Sequence, residues 1–259
     1  MATAQAAPMW HTRGAWSARE DRAASAVCLA ILWVGMVAGF GLDMPRFLAE
    51  KPPAPMVVHV HAFVFTGWLL LVTAQVGLVL GDRVAWHRRL GWFAAGWACL
   101  MAVLGPWAAF ATQAMVLADP SLGQSTVPPT GFLAVNLVAI LGFVLLLAWG
   151  IALRKNPAAH RRIMMLATIA LADPGFGRIT GHYLPEPKHV PLWFVESFYG
   201  NVLLVALLLL WDWRRGRLMR PFALGASALL GAEFLASALY FWPPWQALTR
   251  MWVEAYMRL

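Results

Sequence analysis

Long apolar runs are the feature of this sequence that most restricts its fold. A helix needs about 20 mostly apolar residues to cross a hydrocarbon core of roughly 30 Å. Seven runs of the 259-residue chain qualify: 23–42, 57–80, 90–117, 131–153, 163–183, 191–213 and 221–242. Only 12% of the residues are charged, which is about half the charged fraction of an ordinary soluble domain. The sequence therefore predicts an all-α polytopic membrane helix bundle with seven transmembrane helices.

The distribution of basic residues predicts how this bundle is oriented. The segments between and at the ends of the predicted spans alternate between many and few Lys and Arg residues, and fourteen of the twenty fall in one alternate set. Cytoplasmic loops are the ones enriched in Lys and Arg. We therefore predict a cytoplasmic N-terminal segment over 1–22, a transmembrane domain over 23–242 and a short external C-terminal tail over 243–259. A bacterial inner membrane is the expected location.

Several other classes of protein are excluded by the same features. The net charge of +8 could indicate nucleic-acid binding, but the basic residues lie in short loops beside apolar spans, where they orient helices. The lipid bilayer is thus an expected partner, and nucleic acid is not. Cys28 and Cys99 both lie in apolar runs and form no CxxC pattern. This arrangement does not support a disulfide framework, a zinc knuckle or covalently attached haem.

Two basic segments between predicted spans resemble each other. GDRVAWHRRLGW and LRKNPAAHRRIMM each place a basic residue four or five positions before an HRR triplet. His87 and His160 therefore occupy equivalent places, which predicts repeated helical hairpins of the same orientation. A third basic elbow, WDWRRGRLMRP, has no histidine.

The HRR triplets have two interpretations. They could anchor the elbows in anionic lipid headgroups. Alternatively, the histidines face inward while the arginines hold an acidic cofactor group, because the guanidinium fork pairs bidentately with carboxylates. The candidate cofactor-binding residues are His87, Arg88, Arg89, His160, Arg161 and Arg162.

Histidines on the predicted outer side form a second candidate site. His59 and His61 begin the second predicted span, and His182 and His189 lie between the fifth and sixth spans. Histidine is the commonest metal ligand and a usual axial ligand of haem. His59 and His61 are about 200° apart around a helix, and we expect His61 to face the bundle. Histidines of a hydrated headgroup region would show the same pattern.

Three acidic residues within the predicted spans are further candidates, because ionisable groups inside a membrane are costly. They are Asp173, Glu196 and Glu233. Asp173 precedes Pro174-Gly175 and interrupts the fifth span, as broken helices do in transporters. The alternative is a proline kink in which Asp173 bonds to a neighbouring helix or to Arg178. Gln75 is predicted to form an interhelical hydrogen bond.

Three motifs carry a resemblance to known families. HVHAF at 59–63, HRRLG at 87–91 and HRRIMM at 160–165 resemble a broad group of uncharacterised bacterial multi-pass membrane proteins, over roughly residues 57–178. More distantly, a histidine followed by an apolar-glycine step at a helix start is similar to the cytochrome b561 and ferric-reductase class. Members of that class hold b-type haem between histidines of neighbouring helices, so the resemblance implies haem binding.

The leading hypothesis is a membrane redox or haem-handling protein with haem b near the outer leaflet. Its predicted ligands are His61 and His182, with His189 as a substitute, and a membrane electron-transfer protein would be its partner. One alternative is a small-solute or lipid transporter organised around Asp173 and Glu233. Another is a non-catalytic accessory subunit of a membrane complex. The sequence assigns no enzymatic activity.

Overall fold

The computed structural model describes residues 18–49, 53–122, 129–185 and 188–259. Its α-helices are α1 (Ala18–Ala49), α2 (Met56–Leu80), α3 (Val84–Ala118), α4 (Leu133–Ala152), α5 (Pro157–Ile169), α6 (Asp173–Tyr183), α7 (Val190–Arg214), α8 (Arg220–Phe241) and α9 (Pro243–Tyr256). Within these described ranges, six helices are long and apolar enough to cross a membrane. The prediction of an all-α, multi-pass membrane bundle is therefore confirmed. Most of the predicted segment 1–22 lies outside the described residues.

The fifth predicted span is divided into two helices. α5 ends at Ile169 and α6 begins at Asp173, so the predicted interruption is confirmed. Pro174 lies in the first turn of α6, where a missing backbone N–H costs nothing because no intrahelical partner exists for it. The break therefore coincides with a proline that starts a helix.

Together, α5 and α6 follow α7 from one end to the other. Arg162 of α5 pairs with Asp212 near the end of α7. Thr180 of α6 donates a hydrogen bond to the Glu196 carbonyl near the start of α7, at 2.8 Å. The two short helices thus run antiparallel to one long apolar helix and match its length.

The short helix α5 lies at the centre of the bundle. It packs against α1, α4, α7 and α8, and Ile163, Leu166 and Ile169 are completely buried. α6 lies between α1 and α7, and the Phe176 ring fills the space between Gly35 and Gly200. A Cβ atom at Gly35 or Gly200 would lie 2.2 or 2.1 Å from that ring. Glycine lets these helix backbones approach closely.

The start of α3 and the C-terminal segment depart from the predictions. α3 begins at Val84, six residues before its predicted span, so the first HRR triplet lies inside the helix. The predicted C-terminal tail contains α9, which packs against α3 and α8. Thr249 and Val253 are completely buried there. The apolar face of α9 explains why this segment folds onto the bundle.

Candidate functional site

The first elbow is a tight connection between α2 and α3. Asp82 has a φ of 55°, a left-handed conformation that Asp tolerates better than most residues. Its carboxylate accepts a hydrogen bond from Arg22 of α1 at 2.6 Å. His87 follows as the fourth residue of α3. The elbow thereby joins the start of α1 to the start of α3.

The second elbow places His160 in the same position of its own helix. Asn156 caps α5, because its side-chain oxygen accepts a hydrogen bond from the Ala159 N–H at 3.3 Å. Pro157 is the first residue of α5 and His160 the fourth. Both histidines therefore lie one turn into a helix that follows a basic elbow. The two histidines thus share a helix position, although the first elbow is a tight turn and the second contains a 3₁₀ helix, Leu153–Lys155.

The structure brings the two histidines together. The ring centroids of His87 and His160 are 6.2 Å apart, and the rings are nearly perpendicular, at 83°. The Nδ1 atom of His160 lies 2.7 Å from the Gly150 carbonyl oxygen. Because a carbonyl only accepts, this contact places the proton of a neutral His160 on Nδ1 and leaves Nε2 as an acceptor.

Gln75 of α2 gives His87 the opposite tautomer. When its amide oxygen accepts from the Gly91 N–H at 2.8 Å, its amide nitrogen donates to Nδ1 and to the carbonyl of His87. A neutral His87 then carries its proton on Nε2. The predicted interhelical role of Gln75 is thereby confirmed. The pair thus presents two different Nε2 atoms to a ligand: that of His160 can accept a hydrogen bond, and that of His87 can donate one.

A cavity of about 840 Å³ opens beside this histidine pair, between the α2–α3 hairpin and the α4–α5 hairpin. Its walls are mainly apolar and include Trp68, Val72, Leu147 and Met164. Its basic residues come from α1 and from both elbows: Arg22, Arg88, Arg154, Lys155 and Arg161. None of the described residues that line it is acidic. The arrangement suits a ligand with an anionic head and an apolar body. We call this space the elbow cavity.

Two of the predicted cofactor-binding arginines lie away from the elbow cavity. Arg89 is exposed and lies over the Trp86 ring at 5.3 Å. Arg162 is completely buried and donates two hydrogen bonds to Asp212, at 2.6 and 2.9 Å. Successive residues on a helix point about 100° apart, so adjacent arginines could not all face one ligand. Helical spacing predicts that Arg161 and Arg162 point in different directions, but not which of them faces the cavity.

The outer histidines are not brought together in the described part of the chain. His61 packs on Phe65 at 3.9 Å between centroids, whereas His182 is exposed and lies edge-on to Tyr183. α6, which carries His182, packs against α1 and α7 rather than against α2. His189 is also exposed. Within the described residues, no group of three or more His, Cys, Asp or Glu could hold a metal ion.

The intramembrane acids occupy different surroundings. Glu233 is buried in α8 and accepts a hydrogen bond from Asn201 at 2.6 Å. Glu196 is half-buried. Asp173 is buried in the first turn of α6. Arg178, one of the two alternative partners considered for Asp173, donates to Asp43 at 2.9 Å and to the Pro174 carbonyl. Asn201 gave no sequence signal beyond being polar within an apolar run.

Comparison with known proteins returns no relative. No protein-family model matches the chain, and neither a curated protein nor a solved structure matches it. The chemistry of the elbow cavity therefore rests on its own residues.

Proposed function

We propose that the elbow cavity binds an anionic amphiphile within a seven-span inner-membrane protein. The observation that carries this proposal is the meeting of His87 and His160 beside a cavity with five basic residues. A volume of about 840 Å³ lies within the range of small-ligand sites, roughly 300–1,000 Å³. An anion is favoured because five basic side chains draw negative charge into an apolar setting, and none of the described lining residues is acidic.

The membrane arrangement in this proposal follows from the broken helix. α5 and α6 pass along α7 from end to end, so together they supply the seventh crossing. The basic elbows before α3, α5 and α8 then lie on one side. By the distribution of Lys and Arg, that side is cytoplasmic, with the N-terminus inside and the C-terminus outside.

Haem b is the first candidate ligand, because it combines two carboxylates with an apolar macrocycle. His160 is suited to be an axial ligand, because its Nδ1–H donates a hydrogen bond to the Gly150 carbonyl. Such a hydrogen bond orients a ligating histidine and leaves its Nε2 free for the iron. His87 would be the second ligand once the Gln75 amide rotates so that its oxygen accepts a hydrogen bond from the Nδ1–H of His87. Arg88 and Arg161 would pair with the carboxylates. When bound, haem would supply one-electron transfer with a membrane redox partner.

Absorption spectroscopy of the purified protein, expressed with added haem, tests this candidate. We expect a Soret band and sharp α-bands after dithionite reduction. His160→Ala should lose most of the bound haem, whereas His182→Ala, which changes an exposed outer histidine, should keep it. A colourless wild-type protein would contradict haem binding. Loss of haem in His182→Ala but not in His160→Ala would instead place the haem site among the outer histidines.

A phosphate-headed lipid is the second candidate, favoured by the position of Arg88, Arg154 and Lys155. All three are exposed at the open side of the cavity, where a headgroup could enter from the bilayer. Native mass spectrometry from mixed-lipid detergent micelles tests this candidate. We expect retained anionic lipid in the wild type and several-fold less after Arg88→Gln with Arg154→Gln. Arg89→Gln is the matched control, because Arg89 lies outside the cavity. Equal retention by all variants would exclude the lipid.

A further inference from the structure

Two buried polar side chains meet between α7 and α8, outside the elbow cavity. Asn201 and Glu233 lie near the midpoints of α7 and α8, with exposed fractions of 0% and 2%. The Asn201 amide donates to Glu233 Oε1 at 2.6 Å. A third polar side chain, Asp173, is buried in the first turn of α6. The contact of Phe176 with Gly200 holds the start of α6 beside this part of α7.

Each of these side chains has one buried oxygen atom without a hydrogen-bond partner. The atoms are Oδ1 of Asp173, Oδ1 of Asn201 and Oε2 of Glu233. A buried acceptor left without a donor is destabilising. The Asn201 amide and the Glu233 carboxyl already face each other. What they lack is a hydrogen-bond donor between Oδ1 of Asn201 and Oε2 of Glu233.

The charged and titratable groups around the cluster do not supply that donor. On α6, Arg178 donates to Asp43 of α1 and to the Pro174 carbonyl, and Asp43 also accepts from Arg46. On α7, Tyr199 packs against Phe176, and Glu196 lies more than one turn away from Asn201. In the described residues, no basic side chain forms an ion pair with Asp173 or Glu233. Two ionised carboxylates here would be buried without compensation, which is strongly unfavourable.

We propose that Glu233 carries a proton and forms a paired acid–amide ring with Asn201. The Glu233 Oε2–H donates to Asn201 Oδ1, while the Asn201 N–H donates to Glu233 Oε1. One proton thus satisfies two unpartnered atoms and removes one buried charge. The acid–amide ring is thus a site that carries a proton between α7 and α8, near the midpoints of both helices.

Infrared difference spectroscopy of the full-length protein tests the proposal. Near neutral pH we expect a protonated-carboxyl C=O band that is lost in Glu233→Gln and kept in Glu254→Gln, the matched change of an acid on α9 that pairs with Arg250. Replacing choline chloride with sodium chloride should leave the band unchanged. Absence of the band from the wild type would overturn the proposal. Its loss on adding Na⁺ would do so as well, because the site would then hold a metal cation.

A stability measurement separates protonation from a general packing role. Glutamine is isosteric with protonated glutamate and can make both hydrogen bonds to Asn201, so Glu233→Gln should unfold at about the wild-type temperature at low pH. As the pH rises, the wild type should lose thermal stability, because removal of the proton restores an uncompensated buried charge. Glu233→Gln should lose less. A wild type and variant with parallel pH profiles would show that Glu233 carries no proton in the fold.

Discussion

Arg162 and Asp212 form a bidentate ion pair, at 2.6 and 2.9 Å, that fastens the start of the central helix α5 to the end of α7. Both side chains are almost completely buried, at 1% and 4% exposure. The pair therefore holds one half of the broken span in place at the elbow end of the bundle. Arg162 also lies 6.0 Å from the Phe222 ring of α8, so three helices meet at this guanidinium.

Arg162→Ala should destabilise the protein by about 3–5 kcal/mol, because it leaves Asp212 buried without a partner. Arg162→Lys should also be destabilising, since an ammonium cannot reproduce the bidentate fork. Arg89→Lys, at an exposed position of the other elbow, is the control and should be near neutral. Denaturant titration in detergent measures all three. A mild Arg162→Lys, equal to Arg89→Lys, would mean that charge alone matters at this position.

His87→Ala and His160→Ala should reduce ligand retention non-additively. The two rings line one cavity and lie 6.2 Å apart, and residues that share a site couple energetically. We expect the double variant to retain no less ligand than the weaker single variant. Co-purified ligand, quantified for both singles, the double and the wild type, provides the test. Strictly multiplicative losses would place the histidines in separate sites.

Gly200→Ala should destabilise the protein by about 1–3 kcal/mol through overpacking. The added methyl group would lie 2.1 Å from the Phe176 ring, which must then move away from α7. Gly231→Ala is the control, because nothing lies within 4 Å of a Cβ atom there, and alanine favours the helix by up to about 1 kcal/mol. The thermal unfolding temperatures of the two variants, compared with the wild type, measure this difference in stability. Equal stability would show that α6 does not pack tightly between α1 and α7.

Cysteines placed at Lys155 and Lys188 should be labelled from opposite sides of the membrane. These exposed residues precede α5 and follow α6, so the result reports directly whether the two short helices complete one crossing. Arg88→Cys should be labelled from the same side as Lys155→Cys. The background lacks Cys28 and Cys99. Labelling of Lys155→Cys and Lys188→Cys from one side would reduce the number of spans to six.

The membrane-spanning helices and the repeated elbows could be predicted from the sequence, because both depend on residues that are close together in the chain. Apolar runs specify spanning helices, since backbone groups in lipid must bond within their own segment. The HRR repeat predicted equivalent positions for His87 and His160, and each is the fourth residue of its helix. The choice between Arg161 and Arg162 could not be made in the same way, because Arg162 faces a partner fifty residues away in the chain.

The sequence by itself determined that this chain is a bundle of apolar helices with basic elbows, because a lipid solvent acts on each segment independently. Tertiary structure alone decided that α5 lies at the centre and that α6 packs between α1 and α7. Contacts with other helices replace lipid around Arg162 and Asp173, so this segment tolerates both buried side chains. Tertiary structure also decided which polar groups meet. Asn201 reaches Glu233, and His87 reaches His160, because helix packing brings residues far apart in the chain to one place.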